Sequence, residues 1–159
     1  YRQIRIAHIN CIHLHGIAAN RVEVCYMVGI LIITHGNLGH SLADCARHVL
    51  QREPDNLCVL EVDKNDDPDT KLGEARRLVE QLEHGDGVVI LTDMFGGTPS
   101  NIASRLIVAE RVEAIAGVNL PMLVRALCYS SEPLETVISK AVTGGLEGVM
   151  YIVGGHTGE

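Results

Sequence analysis

From Met27 onward, short runs of aliphatic and β-branched residues alternate with stretches whose apolar residues recur at helical spacing, and this alternation restricts the chain to a βαβ architecture. Residues 27–34 (MVGILIIT) form an unbroken apolar run, as a strand does when both faces of its sheet are covered. Leu38, Leu42, Cys45, Ala46, Val49 and Leu50 then recur at helical spacing, and Pro54-Asp55-Asn56 provides the stop. Leu57–Val62 predicts a second strand, residues 63–69 an acidic, solvated connection, and Leu72, Ala75, Leu78, Val79 and Leu82 a second helix ended by Gly85 and Gly87. Val88–Thr92 is the third strand, closed by Asp93 and the turn MFGGTP. Pro99 suits the first turn of the helix that follows, where its missing N–H costs nothing, and Ile102, Ala103, Leu106 and Ile107 give that helix its apolar face. Val112–Ala116 reads as a fourth strand, Pro121 opens another helix, Leu134, Val137, Ile138 and Ala141 mark the last, and residues 150–153 are a candidate fifth strand. The expected fold is α/β, a doubly wound, mostly parallel sheet with helices on both faces.

Composition narrows the function. With 47% hydrophobic residues in 159, the chain can bury one core, and with only 3% aromatics and no Trp that core is aliphatic. So few aromatics argue against a stacking platform for single-stranded nucleic acid. A net charge of -7 argues against any surface that must neutralise phosphates in nucleic acid or an anionic membrane. Five cysteines form an odd set without a CxxC, and Cys45, Cys58 and Cys128 sit among apolar residues as core thiols do. A reducing cytoplasm fits that usage. No run is long and apolar enough to span a bilayer, so a soluble protein is expected. Residues 1–26 differ in character: they hold His8, His13 and His15, lack a sustained period, and carry Arg2, Arg5 and Arg21 against Glu23 alone. They read as an upstream extension or vector-derived leader ahead of a domain spanning 27–159, and not as a signal peptide.

In an open parallel sheet, ligands bind beyond the carboxyl ends of the strands. Two such ends carry chemistry: the first strand runs into His35, and the third into Asp93 followed by Gly96-Gly97-Thr98-Pro99. If those strands are neighbours, an Asp that accepts from one imidazole nitrogen fixes the tautomer and leaves the other as a nucleophile. Glycines let the backbone approach an anion, and the Thr98 hydroxyl adds a donor, so the set suits a phosphoryl group. Each piece has a plainer reading: His35 as a loop residue, Asp93 as a turn cap, and Gly96 and Gly97 as parts of a tight turn. His35 and His40 complete no recognised zinc spacing, and no metal or cofactor is expected. Neither GxxxxGK[ST] nor GxGxxG occurs, which leaves nucleotide sites of those kinds unsupported.

Three segments in order, MVGILIITHGNLGHSL, VVILTDMFGGTPSNIASRL and AIAGVNLPML, resemble the IIA component of the mannose family of the bacterial phosphoenolpyruvate-dependent sugar phosphotransferase system, from Met27 to about Val153. The resemblance implies phosphorylation of His35 by the phosphocarrier HPr and onward transfer to a IIB component for sugar uptake. It assigns Asp93 as the orienting carboxylate and Thr98 as the hydroxyl near the phosphate, with Asn119 lining the same mouth as the phosphate-binding Gly96 and Gly97. It also implies a cytoplasmic homodimer in which a C-terminal strand, here residues 150–153, is exchanged, and a membrane reached only through partners. As the chain ends in GGHTGE, the IIB acceptor is expected to be a separate protein. A regulatory protein reporting phosphorylation state through phospho-His35 is the main alternative, and neighbouring genes for IIB and membrane components discriminate the two. A subunit serving a dihydroxyacetone kinase fits the GGTP segment less well, and a simple ligand-binding module would not need His35.

Overall fold

The computed structural model describes residues 27–152, so the leader with its histidines, Cys11, Cys25 and Val153 lie outside the described residues. The strands are β1 (Gly29–His35), β2 (Leu57–Val62), β3 (Val88–Thr92) and β4 (Val112–Ala116), all parallel, in the order β2-β1-β3-β4. The helices are α1 (Leu38–Leu50), α2 (Pro68–Leu82), α3 (Thr98–Ser104), α4 (Leu120–Cys128) and α5 (Leu134–Glu147).

The apolar run of β1 divides its side chains by the period of two that a pleated strand imposes. Leu31 and Ile33 join Ile90 and the α2 and α3 residues Leu72, Ala75, Ile102 and Ala103 on one face. Ile30 and Ile32 join Val89, Leu91 and the α1, α4 and α5 residues Ala46, Leu123 and Val137 on the other. Each fully buried Ile or Leu contributes about 1.5–3 kcal/mol relative to exposure, so the two aliphatic layers hold the sheet. Connections leave β1 and β3 toward opposite edges, and a crevice opens between their carboxyl ends. The doubly wound expectation holds.

Four expectations do not. In α1 the face against the sheet is Gly39, Leu42, Ala43 and Ala46, whereas Leu38, Cys45 and Val49 are exposed. Small residues bring this helix close: a Cβ on Gly39 would lie 2.8 Å from both Thr34 Oγ1 and Val59 Cγ1. Because α3 stops at Ser104, Leu106 is buried from the following turn while Ile107 faces out. Of the expected core thiols, Cys45 and Cys128 are exposed and only Cys58 is half-buried, where desolvation pushes its thiol up. Residues 150–152 belong to no strand, and Met150, Tyr151 and Ile152 are largely exposed, since neither edge strand of this chain pairs with them.

Glu83 staples the turn between α2 and β3. Its Oε1 accepts from the N–H groups of Gly85 and Gly87, and its Oε2 accepts from Arg111 Nε at 3.3 Å and Nη2 at 3.2 Å. Burial alone would push its carboxyl up, but those backbone N–H groups and the guanidinium outweigh it and hold it below the usual range. With the folded pKa depressed, the contribution is fully present above the unfolded value and lost as pH falls through the folded one. Glu83→Ala is expected to cost about 1–3 kcal/mol at neutral pH and less in acid, as read by urea unfolding at two pH values. Equal losses at both would remove the charge from this account.

Candidate functional site

His35 is the last residue of β1, and the parallel register Ile33↔Thr92 brings it beside Asp93, the first residue after β3. Asp93 Oδ2 accepts from the His35 backbone N–H at 2.9 Å and lies 2.8 Å from His35 Nδ1, while Oδ1 accepts from the Met94 N–H at 2.8 Å. Partial burial would raise the Asp93 carboxyl, but the backbone and imidazole of His35 and the Met94 N–H prevail and hold it below its ordinary value. An ionised carboxylate has no proton to give, so Nδ1 carries the hydrogen and Nε2 keeps its lone pair. The histidine side chain is 48% exposed, against 11% for Asp93, so the reactive edge is accessible and its support is sheltered.

Local anchors fix this arrangement. Gly36, at φ 48°, donates its N–H to Val62 O, and the buried Thr34 Oγ1 accepts from Gly39 N–H at 2.8 Å, tying the loop to β2 and to the start of α1. Gly96, at φ 84°, turns the chain after Phe95 and donates its N–H to Ser100 Oγ at 2.9 Å, and that hydroxyl donates to Gly97 O at 3.0 Å. Gly97 packs on the imidazole: a Cβ there would stand 2.8 Å from His35 Cε1 and 3.4 Å from Nε2. Since Gly97 has φ -83° and ψ 170°, a conformation any residue adopts, Gly97→Ala is expected to fold normally. Displacing the ring by a fraction of an ångström to an ångström should then slow the phosphoryl uptake that the sequence resemblance implies about a hundredfold in a single-turnover assay. An unchanged rate would show that the ring does not need this contact.

The structure therefore brings His35, Asp93, Gly97 and Thr98 together at one mouth, with Thr98 and His35 lining a cleft of about 480 Å³. Gly96 shapes the turn, but its N–H is engaged by Ser100. Asn119 caps α4 through Oδ1, which accepts from Met122 N–H at 2.9 Å, and its Nδ2 donates to Gly145 O at 3.0 Å. Its oxygen and one of its two amide N–H donors thus help hold α4 to α5. Sequence reasoning missed Thr34 and Ser100, whose hydroxyls organise the two loops, and also Asp63, Lys64 and Asp66, which line the same cleft. The position of residues 63–66 directly after a strand was the available signal.

The family model described as PTS system fructose IIA component matches residues 29–142. The chain belongs to this family. It is similar to the mannose-specific EIIAB component of the phosphotransferase system of Escherichia coli K12, with 34% identity over 125 residues, which is 77% of this chain and 38% of that protein. It also resembles the fructose-specific EIIA component of Bacillus subtilis 168, with 29% identity over 102 residues, 64% of this chain and 69% of that one. The chain thus spans under two fifths of the mannose-specific relatives it matches. Its fold is shared with the mannose/sorbose-specific IIA subunit from Enterococcus faecalis, at a TM-score of 0.74 and 17% identity, over 83% of this chain and 99% of the other. This IIA chain has no helix, among its described residues, long and apolar enough to cross a membrane.

Proposed function

We propose that this chain is a phosphocarrier of the sugar phosphotransferase system, working in the cytoplasm, which accepts a phosphoryl group from phospho-HPr on His35 Nε2 and passes it to a IIB component. The observation that carries this reading is the contact of 2.8 Å between His35 Nδ1 and an ionised Asp93. In the transfer, the donor's N–P bond breaks as the Nε2–P bond forms. Asp93 keeps the ring oriented and stabilises the positive charge that the imidazole acquires. The Thr98 hydroxyl, on the wall of the same cleft, is the donor for a non-bridging phosphoryl oxygen. Positioning and electrostatics suffice for such a step, because phosphoryl transfer asks for little acid-base chemistry.

A protein partner is favoured by what borders the mouth. Met94 and Phe95, directly after Asp93, are 57% and 88% exposed, and Phe95 is the chain's single Phe. An aromatic held out by a turn pinned at Ser100 suits a partner surface better than a small molecule. A homodimer is part of the same proposal. Leu146, Val149, Met150, Tyr151 and Ile152 form a largely exposed apolar stretch, and β4 is an edge strand, so exchange of residues 150–153 between two copies would cover both.

The test is to incubate the purified chain with phosphoenolpyruvate, enzyme I and HPr and to follow intact mass. One added phosphoryl group, labile to acid and transferable to IIB, is the expected result. No uptake while HPr itself is phosphorylated would overturn the reading.

A further inference from the structure

A dianionic phosphoryl group entering the cleft beside His35 meets an unfavourable field. Asp63 and Asp66 line the cleft, Asp93 lies behind the imidazole, and the chain as a whole carries -7. A site of that charge needs a cation at the phosphoryl oxygens, because each added negative charge raises the energy of the phosphorylated state. Two other cations of the chain are committed elsewhere. Lys71 is held by Asp66 at 3.5 Å and Glu74 at 3.3 Å, and Arg105 by Asp69 at 2.9 Å.

Lys64 differs from both. It lines the cleft together with His35 and Thr98, and it pairs with no carboxylate among the described residues. Its backbone is nonetheless fixed. The Asp63 N–H donates to Asp66 Oδ2 at 2.7 Å, and the Asp66 N–H donates to Asp63 O at 3.1 Å, closing a short loop around Lys64. The result is a free ammonium on a pinned loop at the edge of the reactive mouth.

We propose that Lys64 contacts the phosphoryl group on His35, donating a charge-assisted hydrogen bond to a non-bridging oxygen during transfer and in the phosphorylated state; this rests on the phosphocarrier reading above. Lys64 transfers no proton in this step. The covalent change is confined to the N–P bond that breaks in the donor and the Nε2–P bond that forms on His35.

The test separates contact with the phosphoryl group from attraction of a protein partner by using two donors. One is phospho-HPr. The other is phosphoramidate, whose P–N bond breaks as Nε2–P forms and whose nitrogen, already protonated, departs as ammonia. Lys64→Gln is expected to slow uptake about tenfold with both donors, the scale of one partly exposed charge-assisted hydrogen bond, and Lys64→Arg to retain most of the rate. Because Lys64 is exposed, both variants should melt with the parent. A K64Q rate that is unchanged with phosphoramidate but slower with phospho-HPr would make Lys64 a docking residue and overturn the proposal. Equal losses in K64Q and K64R would overturn it as well, since charge would not be the cause. A parent chain that takes phosphoryl from neither donor would instead sink the phosphocarrier reading, and this proposal with it.

Discussion

His35→Ala is expected to abolish phosphoryl uptake from phospho-HPr and to leave the fold in place. No other group in the described mouth replaces the lost nucleophile, because Asp93 is an ionised acceptor and the Thr98 hydroxyl has no adjacent base to activate it. The fold should survive because the side chain is about half exposed, and the carboxylate keeps the backbone N–H of residue 35 as a donor after the ring is gone. Surface positions of this kind usually cost less than about 1 kcal/mol. The check is a pair of measurements on one preparation, intact mass after incubation with the donor and thermal unfolding. Residual acid-labile label would place the phosphoryl group elsewhere, and a collapse of the melting transition would make His35 a structural residue.

Asp93→Asn is expected to slow transfer about a thousandfold, the upper range for removing one preorganised electrostatic partner of a developing charge. Two losses combine. The amide carries no negative charge to stabilise the imidazolium, and it has one carbonyl oxygen where the carboxylate uses two. Oδ1 serves Met94 and Oδ2 serves both donors of His35, so the asparagine must present its NH₂ to one of these donors. The ring is then free to turn or to place its proton on Nε2. Because the carboxyl of Asp93 is held below its ordinary range, the parent keeps this support through neutral pH and loses it only as pH falls through the depressed value. The rate lost in the Asp93→Asn variant should therefore be at full size at neutral pH, where single-turnover measurements compare it with the parent. A variant as fast as the parent at neutral pH would remove Asp93 from the mechanism.

Much of this architecture is legible in the sequence, for identifiable reasons. The bounds of β2, β3 and β4 follow from apolar β-branched runs between turn residues, and the His35 and Asp93 pair follows once the first and third strands are neighbours. The face of α1 is less legible. Its packing stripe adds to Leu42 and Ala46 two residues too small to stand out as hydrophobic, Gly39 and Ala43, while Cys45 and Val49 imitate a stripe on the outer side. Residues 150–152 read as a strand because their composition suits one, yet they pair with neither edge strand, β2 or β4, of this chain. The Asp63 to Asp66 loop hides its role for another reason: a run of acids looks solvated in sequence, and only the position of the β2 end beside β1 reveals that it borders the site.

The backbone ladder between β1 and β3 sets the distance from His35 to Asp93, whereas the residues that face outward beside them, Met94 and Phe95, hang from the end of β3. Chemistry and address are thus written on different parts of the chain. The outward residues can be exchanged to suit a new partner while the reactive pair keeps its geometry, so a fold of this design can be re-routed between circuits without having to reinvent its nucleophile.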